Sequence, residues 1–191
     1  MENGSYRTEY GRISMKRYEF IAITSKNDVI MGLSCVTVFG FSMLLFQLGL
    51  FYSGLDKTLK SHPVLLLLFI FLLLAVANVL FQKIKEKLVK HYSVELEETK
   101  IKIFENGNEM VQGQISGCYT KDNSSMSVKS LRADFYVDDE KISFRVRPKT
   151  YKTIQGSTSG NLFGTGSLSD IEELASLCKD IKGVVGEGED E

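Results

Sequence analysis

The 191-residue chain contains no tryptophan, two prolines, two histidines and three cysteines. Each shortage closes a class of chemistry. With only His62 and His91 as imidazoles and no C-x-x-C spacing, neither a zinc site nor a disulfide framework can be assembled from sequence neighbours. Cys35 lies in an oily stretch, and Cys118 and Cys178 are isolated in the sequence; all three read as reduced thiols that fill apolar space. The net charge of −1, with no basic groove interleaved with aromatics, argues against a nucleic-acid partner. No serine sits in a G-x-S-x-G elbow. The adjacent carboxylates Glu97/Glu98 and Asp138/Asp139 fall in turns where neighbours point apart, and His91 has no evident acid partner. The expectation is a non-enzymatic protein without cofactor or metal.

Charge is missing locally as well. Segments 29–52 and 63–82 contain no Asp, Glu, Lys or Arg, so the mean hydropathy of −0.03 averages unlike parts. A hydrocarbon layer of about 30 Å takes roughly 20 apolar residues as a helix, and backbone amides in lipid must be satisfied within the segment. Both stretches meet that length, which predicts a two-helix transmembrane hairpin over 29–82. A cleaved signal peptide fits poorly, because the first stretch starts late, is long, and ends in Tyr52-Ser53-Gly54-Leu55 with no A-x-A site. Arg7, Arg12, Lys16, Arg17 and Lys26 precede the hairpin, and Lys83, Lys85, Lys87 and Lys90 follow it, against Lys57 and Lys60 in the connector. Cytoplasmic loops carry the excess of Lys and Arg, so both termini are expected on the cytoplasmic side of the inner membrane. Gln47 and Asn78 are the amides inside the spans, with Gln82 as the last residue of the second; they meet headgroups or each other, or else form part of a polar pathway.

The four lysines at 83, 85, 87 and 90 stand where the second helix leaves the bilayer. Anionic lipid attracts such a collar by about 1 kcal/mol per lysine, either as a general anchor or as a specific headgroup site. Downstream the period changes to two. Residues 92–97 and 101–103 alternate around a turn at Glu98-Thr99, Asn106-Gly107 marks a hairpin, and a third strand spans 110–115. The polar run 117–127 reads as a loop or a sheet corner. Strands over 128–137 and 142–146 flank a DDEK turn, and Pro148 ends the second. On that strand Arg145 and Arg147, with Lys149 beyond, alternate against Ile142, Phe144 and Val146: a candidate surface for lipid phosphate or an acidic partner, or simply a solvated face. A final amphipathic helix is expected to begin with Ser169 and Glu172 as a capping box and to stop at Gly183. The fold class is therefore membrane α+β, a transmembrane hairpin followed by a small antiparallel β-barrel closed by a C-terminal helix. The domains divide as a cytoplasmic N-terminal segment 1–28, the hairpin 29–82, a cytoplasmic domain 83–183, for which a resemblance given below implies a fold, and an acidic disordered tail 184–191. Segment 16–24 either adds a strand to the barrel or lies on the membrane. The Gly/Ser-rich stretch 156–168 lacks the GK[ST] of a phosphate loop and reads as a surface loop, with Leu162 and Phe163 able to pin its middle to the barrel or membrane.

Two spans, a strand-rich domain, Phe135-Tyr136, Phe144, Pro148-Lys149, Tyr151 and the acidic helix start at 169–174 come in an order that resembles the YcxB-like family of bacterial membrane proteins. The resemblance implies a pleckstrin-homology-like (PH-like) domain after the hairpin, a fold that binds lipids, peptides or partner proteins, and it carries no catalytic residues across. The expected function is a membrane-anchored interaction module that binds anionic lipid or a protein partner. The alternative is a homo-oligomeric subunit of effector or immunity type that forms or blocks a pore.

Overall fold

The computed structural model describes residues 15–54, 62–122, 124, 129–152 and 156–186. Its first strand, β1 (Lys16–Thr24), exposes Lys16, Arg17 and Glu19 and buries Tyr18, Phe20 and Ala22. Segment 16–24 is thus a strand of the sheet, and does not stand apart from it in an N-terminal segment. Helix α1 (Ser25–Ser53) begins at the very next residue. Thr24, still extended, accepts the Asn27 backbone N–H on its hydroxyl at 3.4 Å, which satisfies one of the open donors of the first turn. The helix ends at Gly54, whose φ of 66° is open to glycine at no steric cost.

Helix α2 (Pro63–Leu88) carries its proline in the first turn, where a missing N–H costs nothing. It runs past Gln82, because Ile84, Lys85, Glu86, Lys87 and Leu88 are good helix formers and cations suit the last turn. Lys83, Lys85 and Lys87 are therefore helical. One extended residue, Val89, separates α2 from β2 (Lys90–Glu97). β1 and β2 pair antiparallel from Lys16↔Leu96 to Ala22↔Lys90. The hairpin is an insertion between two paired strands. The most apolar stretches of α1 and α2 are only 6% and 11% buried, so these are not core helices of the sheet unit. They are long and apolar enough to cross a membrane.

β2 is followed by β3 (Lys100–Glu105), β4 (Asn108–Asp122), β5 (Leu131–Val137) and β6 (Glu140–Val146), each antiparallel to the last. Ile23 and Thr24 at the end of β1 pair with Arg145 and Phe144 of β6, which closes the sheet on itself. The tight connections use positive φ at Asn106, Gly107, Asp138 and Asp139, the handedness that two-residue hairpins require. β4 is longer than expected. An irregularity between Ile115 and Gly117 bends it, and Gly117 to Asp122 continue as a strand opposite Tyr136 to Leu131. Of the loop and the sheet corner that the polar run offered, the described part is the corner: a bent strand with polar residues on its solvent side. A separate pair, β7 (Thr150–Lys152) and β8 (Thr158–Gly160), follows.

Helix α3 (Leu168–Val185) starts two residues earlier than the expected box. Ser167 accepts the Asp170 N–H at 3.2 Å, and the Asp170 carboxylate accepts the Ser167 N–H at 2.5 Å. Asp170 also accepts the Ile21 N–H of β1 at 2.9 Å, a tertiary bond that selects Ser167 and Asp170 over Ser169 and Glu172. Gly183 lies inside the helix, which reaches Val185; Val184 and Val185 are helical and not tail. Leu174, Leu177, Cys178 and Ile181 cover the core, where the Phe144 ring meets those of Tyr92, Phe135 and Phe20 at 4.7, 5.6 and 5.7 Å, distances at which aromatic pairs attract. The expectations for 1–14, most of the connector, Val128 and 187–191 fall outside the described residues.

Candidate functional site

The end of the sheet where the hairpin enters and leaves collects most of the residues singled out above. Asp28, in the first turn of α1, takes Arg145 Nη1 at 2.5 Å and Arg147 Nη1 and Nη2 at 2.7 and 3.1 Å. Its side chain is 13% exposed, and those of Arg145 and Arg147 are 24% and 19% exposed. The two arginines are thus not a solvated face. They clamp the start of α1 to the end of β6, and Arg145 Nε is left buried without a partner. Asn27 adds a second tie, donating from Nδ2 to the Leu88 carbonyl at 3.3 Å and so joining the start of α1 to the end of α2.

Part of the Gly/Ser-rich stretch closes the same junction. Phe163 meets Phe81 of α2 edge-on at 6.0 Å, and Phe81 meets Phe39 of α1 at 6.1 Å. Ile23, Met31 and Phe81 are fully buried beneath it. The loop backbone is fixed in detail. Thr165 and Gly166 donate to the Arg147 carbonyl at 2.8 and 3.0 Å, Lys149 donates to the Gly166 carbonyl at 2.9 Å, and Asn161 donates to the Lys149 carbonyl at 2.7 Å. A side chain at Gly164 would put Cβ 2.5 Å from Lys149 Cα, so only glycine permits this approach. Residues 161–166 are a pinned wedge: Phe163 fixes the middle of the stretch, against Phe81 of α2, while Leu162 stays exposed.

The candidate lysines divide. Lys85 donates to the Leu162 carbonyl at 3.2 Å, and Lys90 lies 4.0 Å from Glu105. Lys83, Lys87 and Lys149 are exposed, and Lys149 is close enough to Lys85 for their charges to repel. Leu162, next to the Lys85 contact, is 38% exposed. At the junction Lys85 and Lys149 thus stand near each other beside Leu162, while Lys83 and Lys87, two positions either side of Lys85, lie on the other face of α2.

Gln47 and Asn78 are both exposed. α1 runs away from the sheet and α2 returns to it, so at about 1.5 Å per residue the two amides stand about 18 Å apart in depth. They neither meet each other nor line one polar stripe. Among the described residues no group of three or more His, Cys, Asp or Glu forms that could hold a metal.

One feature was not found from sequence. Asp28 was passed over as one charge in a mixed-charge segment; a lone acid just before an uncharged helix was the available signal. No protein-family model, curated protein or solved structure matches the chain.

Proposed function

We propose that the chain is a non-enzymatic integral membrane protein of the inner membrane. In this reading α1 and α2 cross the bilayer as a hairpin, both termini are cytoplasmic, and the closed sheet is a PH-like module of the YcxB-like kind held at the lipid surface. There it engages anionic headgroups through Lys83, Lys87 and Lys149, with Leu162 entering the interfacial layer. The observation that carries this is the place of insertion: the hairpin leaves β1 directly and returns to β2 through one residue, at the very end where the exposed lysines gather. Each such lysine contributes about 1 kcal/mol near an anionic surface.

Nanodiscs of anionic or zwitterionic phospholipid test it. Hydrogen–deuterium exchange of segment 161–166 is expected to slow in anionic discs relative to zwitterionic ones. The combined variant Lys83→Gln, Lys87→Gln, Lys149→Gln is expected to lose that difference. Equal exchange in both lipids for the unaltered protein defeats the headgroup reading.

A further inference from the structure

Ala77 and Phe81 of α2 are fully buried, and the Phe81 ring meets Phe39 of α1, so this is the side on which α1 packs. Successive residues of a helix turn by about 100°, which sets Leu67, Phe71, Ala75, Asn78 and Gln82 along a neighbouring face. Leu67, Phe71, Ala75 and Asn78 are exposed there, and Gln82 is half-buried. Below Gln82 the same face is occupied, because Lys85 donates to the Leu162 carbonyl of the wedge at 3.2 Å. Two carboxamides thus stand one turn apart on a face otherwise made of Leu, Phe and Ala. Among the described residues neither amide has a hydrogen-bond partner. The argument from here rests on the reading that α1 and α2 cross the bilayer, which puts this face in lipid. Asn78 precedes Lys83, the first charged residue after the span, by five residues, or about 7.5 Å of helix. A lysine reaches the headgroups along its stem. The asparagine amide, one methylene from the backbone, does not, and an unmet amide in hydrocarbon is costly.

We propose that the chain pairs in the bilayer with a second copy of itself through this face of α2, Asn78 against Asn78 and Gln82 against Gln82. All inserted copies of one chain share an orientation, so the two-fold axis of a pair runs along the membrane normal. Each residue near that axis then meets its own counterpart at the same depth. A charged side chain would repel its copy there. A carboxamide carries both donors and an acceptor, so it satisfies itself across the axis. Ala75, on the turn above Asn78, is small enough for the two backbones to approach. The wedge at Lys85 bounds the contact below, and the helices part from there toward the two sheet units. A self-complementary contact is used up by two copies. It therefore builds a dimer, where a pore would need a ring.

The test uses the full chain, labelled on its α-amino group with donor or acceptor dye and reconstituted in phospholipid vesicles, with energy transfer followed as lipid is added. The expected result is transfer above the level of random encounter, linear in the acceptor fraction as a two-copy assembly requires. Asn78→Leu combined with Gln82→Leu is expected to raise the dissociation mole fraction about tenfold, the equivalent of about 1.4 kcal/mol and of one or two interhelical hydrogen bonds. Asn78→Gln, which keeps a carboxamide, and Gln47→Leu, on the other helix, are expected to stay within about threefold of wild type. Transfer at the random level, a curved dependence on acceptor fraction, unchanged dissociation of the double leucine variant, or an equal loss in Gln47→Leu would each overturn the proposal. Carbonate extraction tells its failure from that of the spanning hairpin. Protein that stays in the vesicles without transfer refutes the pairing alone, and protein that is released refutes the hairpin and the pairing with it.

Discussion

Replacing Asp28 by asparagine removes the one carboxylate that Arg145 and Arg147 share. Deleting one partner of a buried ion pair costs about 3–5 kcal/mol, chiefly because the other charge stays buried and unpaired. Here the three side chains are 13%, 24% and 19% exposed, so water screens part of the loss, and about 2 kcal/mol is the discounted figure. The clamp joins α1 to β6, so the loss falls on opening of that junction. At about 1.4 kcal/mol per decade, amide exchange in β6 and in the Arg147 contacts with Thr165 and Gly166 is expected to accelerate about thirtyfold, read by hydrogen–deuterium exchange in detergent. A second variant separates unpaired charge from lost packing. With Arg145→Met and Arg147→Met added, no buried cation is stranded, and the orphaned Arg145 Nε is gone as well. The triple variant is expected to exchange more slowly than Asp28→Asn alone. If the single variant stays within twofold of wild type, or the triple variant is the faster of the two, the clamp does not hold the junction.

Other positions give independent outcomes. Gly183 lies inside α3 with nothing within 4 Å of a built Cβ, so Gly183→Ala should stabilise the protein by about 0.5–1 kcal/mol in a urea titration. Gly164→Ala, 2.5 Å from Lys149 Cα, should lower the midpoint of the same titration and speed proteolysis within 156–166. Asp180 is held below the usual carboxylate range by hydrogen bonds from Lys16 and Tyr18. Burial pushes Asp134 up, but hydrogen bonds from Lys141, Ser143 and Arg132 outweigh it and hold that group low as well. Both therefore supply stability that is complete above the ordinary value of 3.8 and lost as pH falls through their lower folded values. Acid unfolding followed by circular dichroism should begin below about pH 4, and Asp180→Asn should flatten that dependence, with less stability left to lose on acidification.

The spans and the hairpin turns were legible because their signals are local. Twenty uncharged residues announce a helix wherever it lies, and Asn106-Gly107 states its own handedness. The strand at 16–24 was visible as an alternation, but its partner stands beyond two helices, and nothing local distinguishes a sheet strand from a membrane-surface segment. The start of α3 was misplaced by two residues because both Ser167 and Ser169 satisfy the capping rule, and a bond from Ile21 to Asp170 decides between them. Phe163 was legible as a pin, but composition hid how closely the backbone at 161–166 is held, for a similar reason. Gly164 and Gly166 serve close backbone approach, which in sequence looks the same as flexibility. Arg145 and Arg147 were read as a partner-facing or solvated surface because their partner, Asp28, is a single unremarked acid more than a hundred residues away.

Insertion of the hairpin between β1 and β2 changes what an anchor does. A domain on a flexible tether samples many orientations. Here one connection has no intervening residue and the other has Val89 alone, and Asp28 and Phe163 brace the same corner. α3 runs from Ser167, near Ile21 of the junction, to Val184 and Val185 beside Thr99, Gln114 and Asp138 at the opposite end. The turns at that end carry Glu97, Glu98, Asp138 and Asp139, whereas Lys26, Lys83, Lys87 and Lys149 surround the helices. With the hairpin in a bilayer, the covalent geometry and the charge distribution favour the same pose, cations at the headgroups and acids turned away. A strand of seven or eight residues at about 3.3 Å each sets the height of the acidic turns at about 25 Å above the junction. In that pose, anything docking on those turns would meet them at a fixed distance from the membrane. A flexible tether at either strand would abolish that constraint without altering a single residue of the docking face.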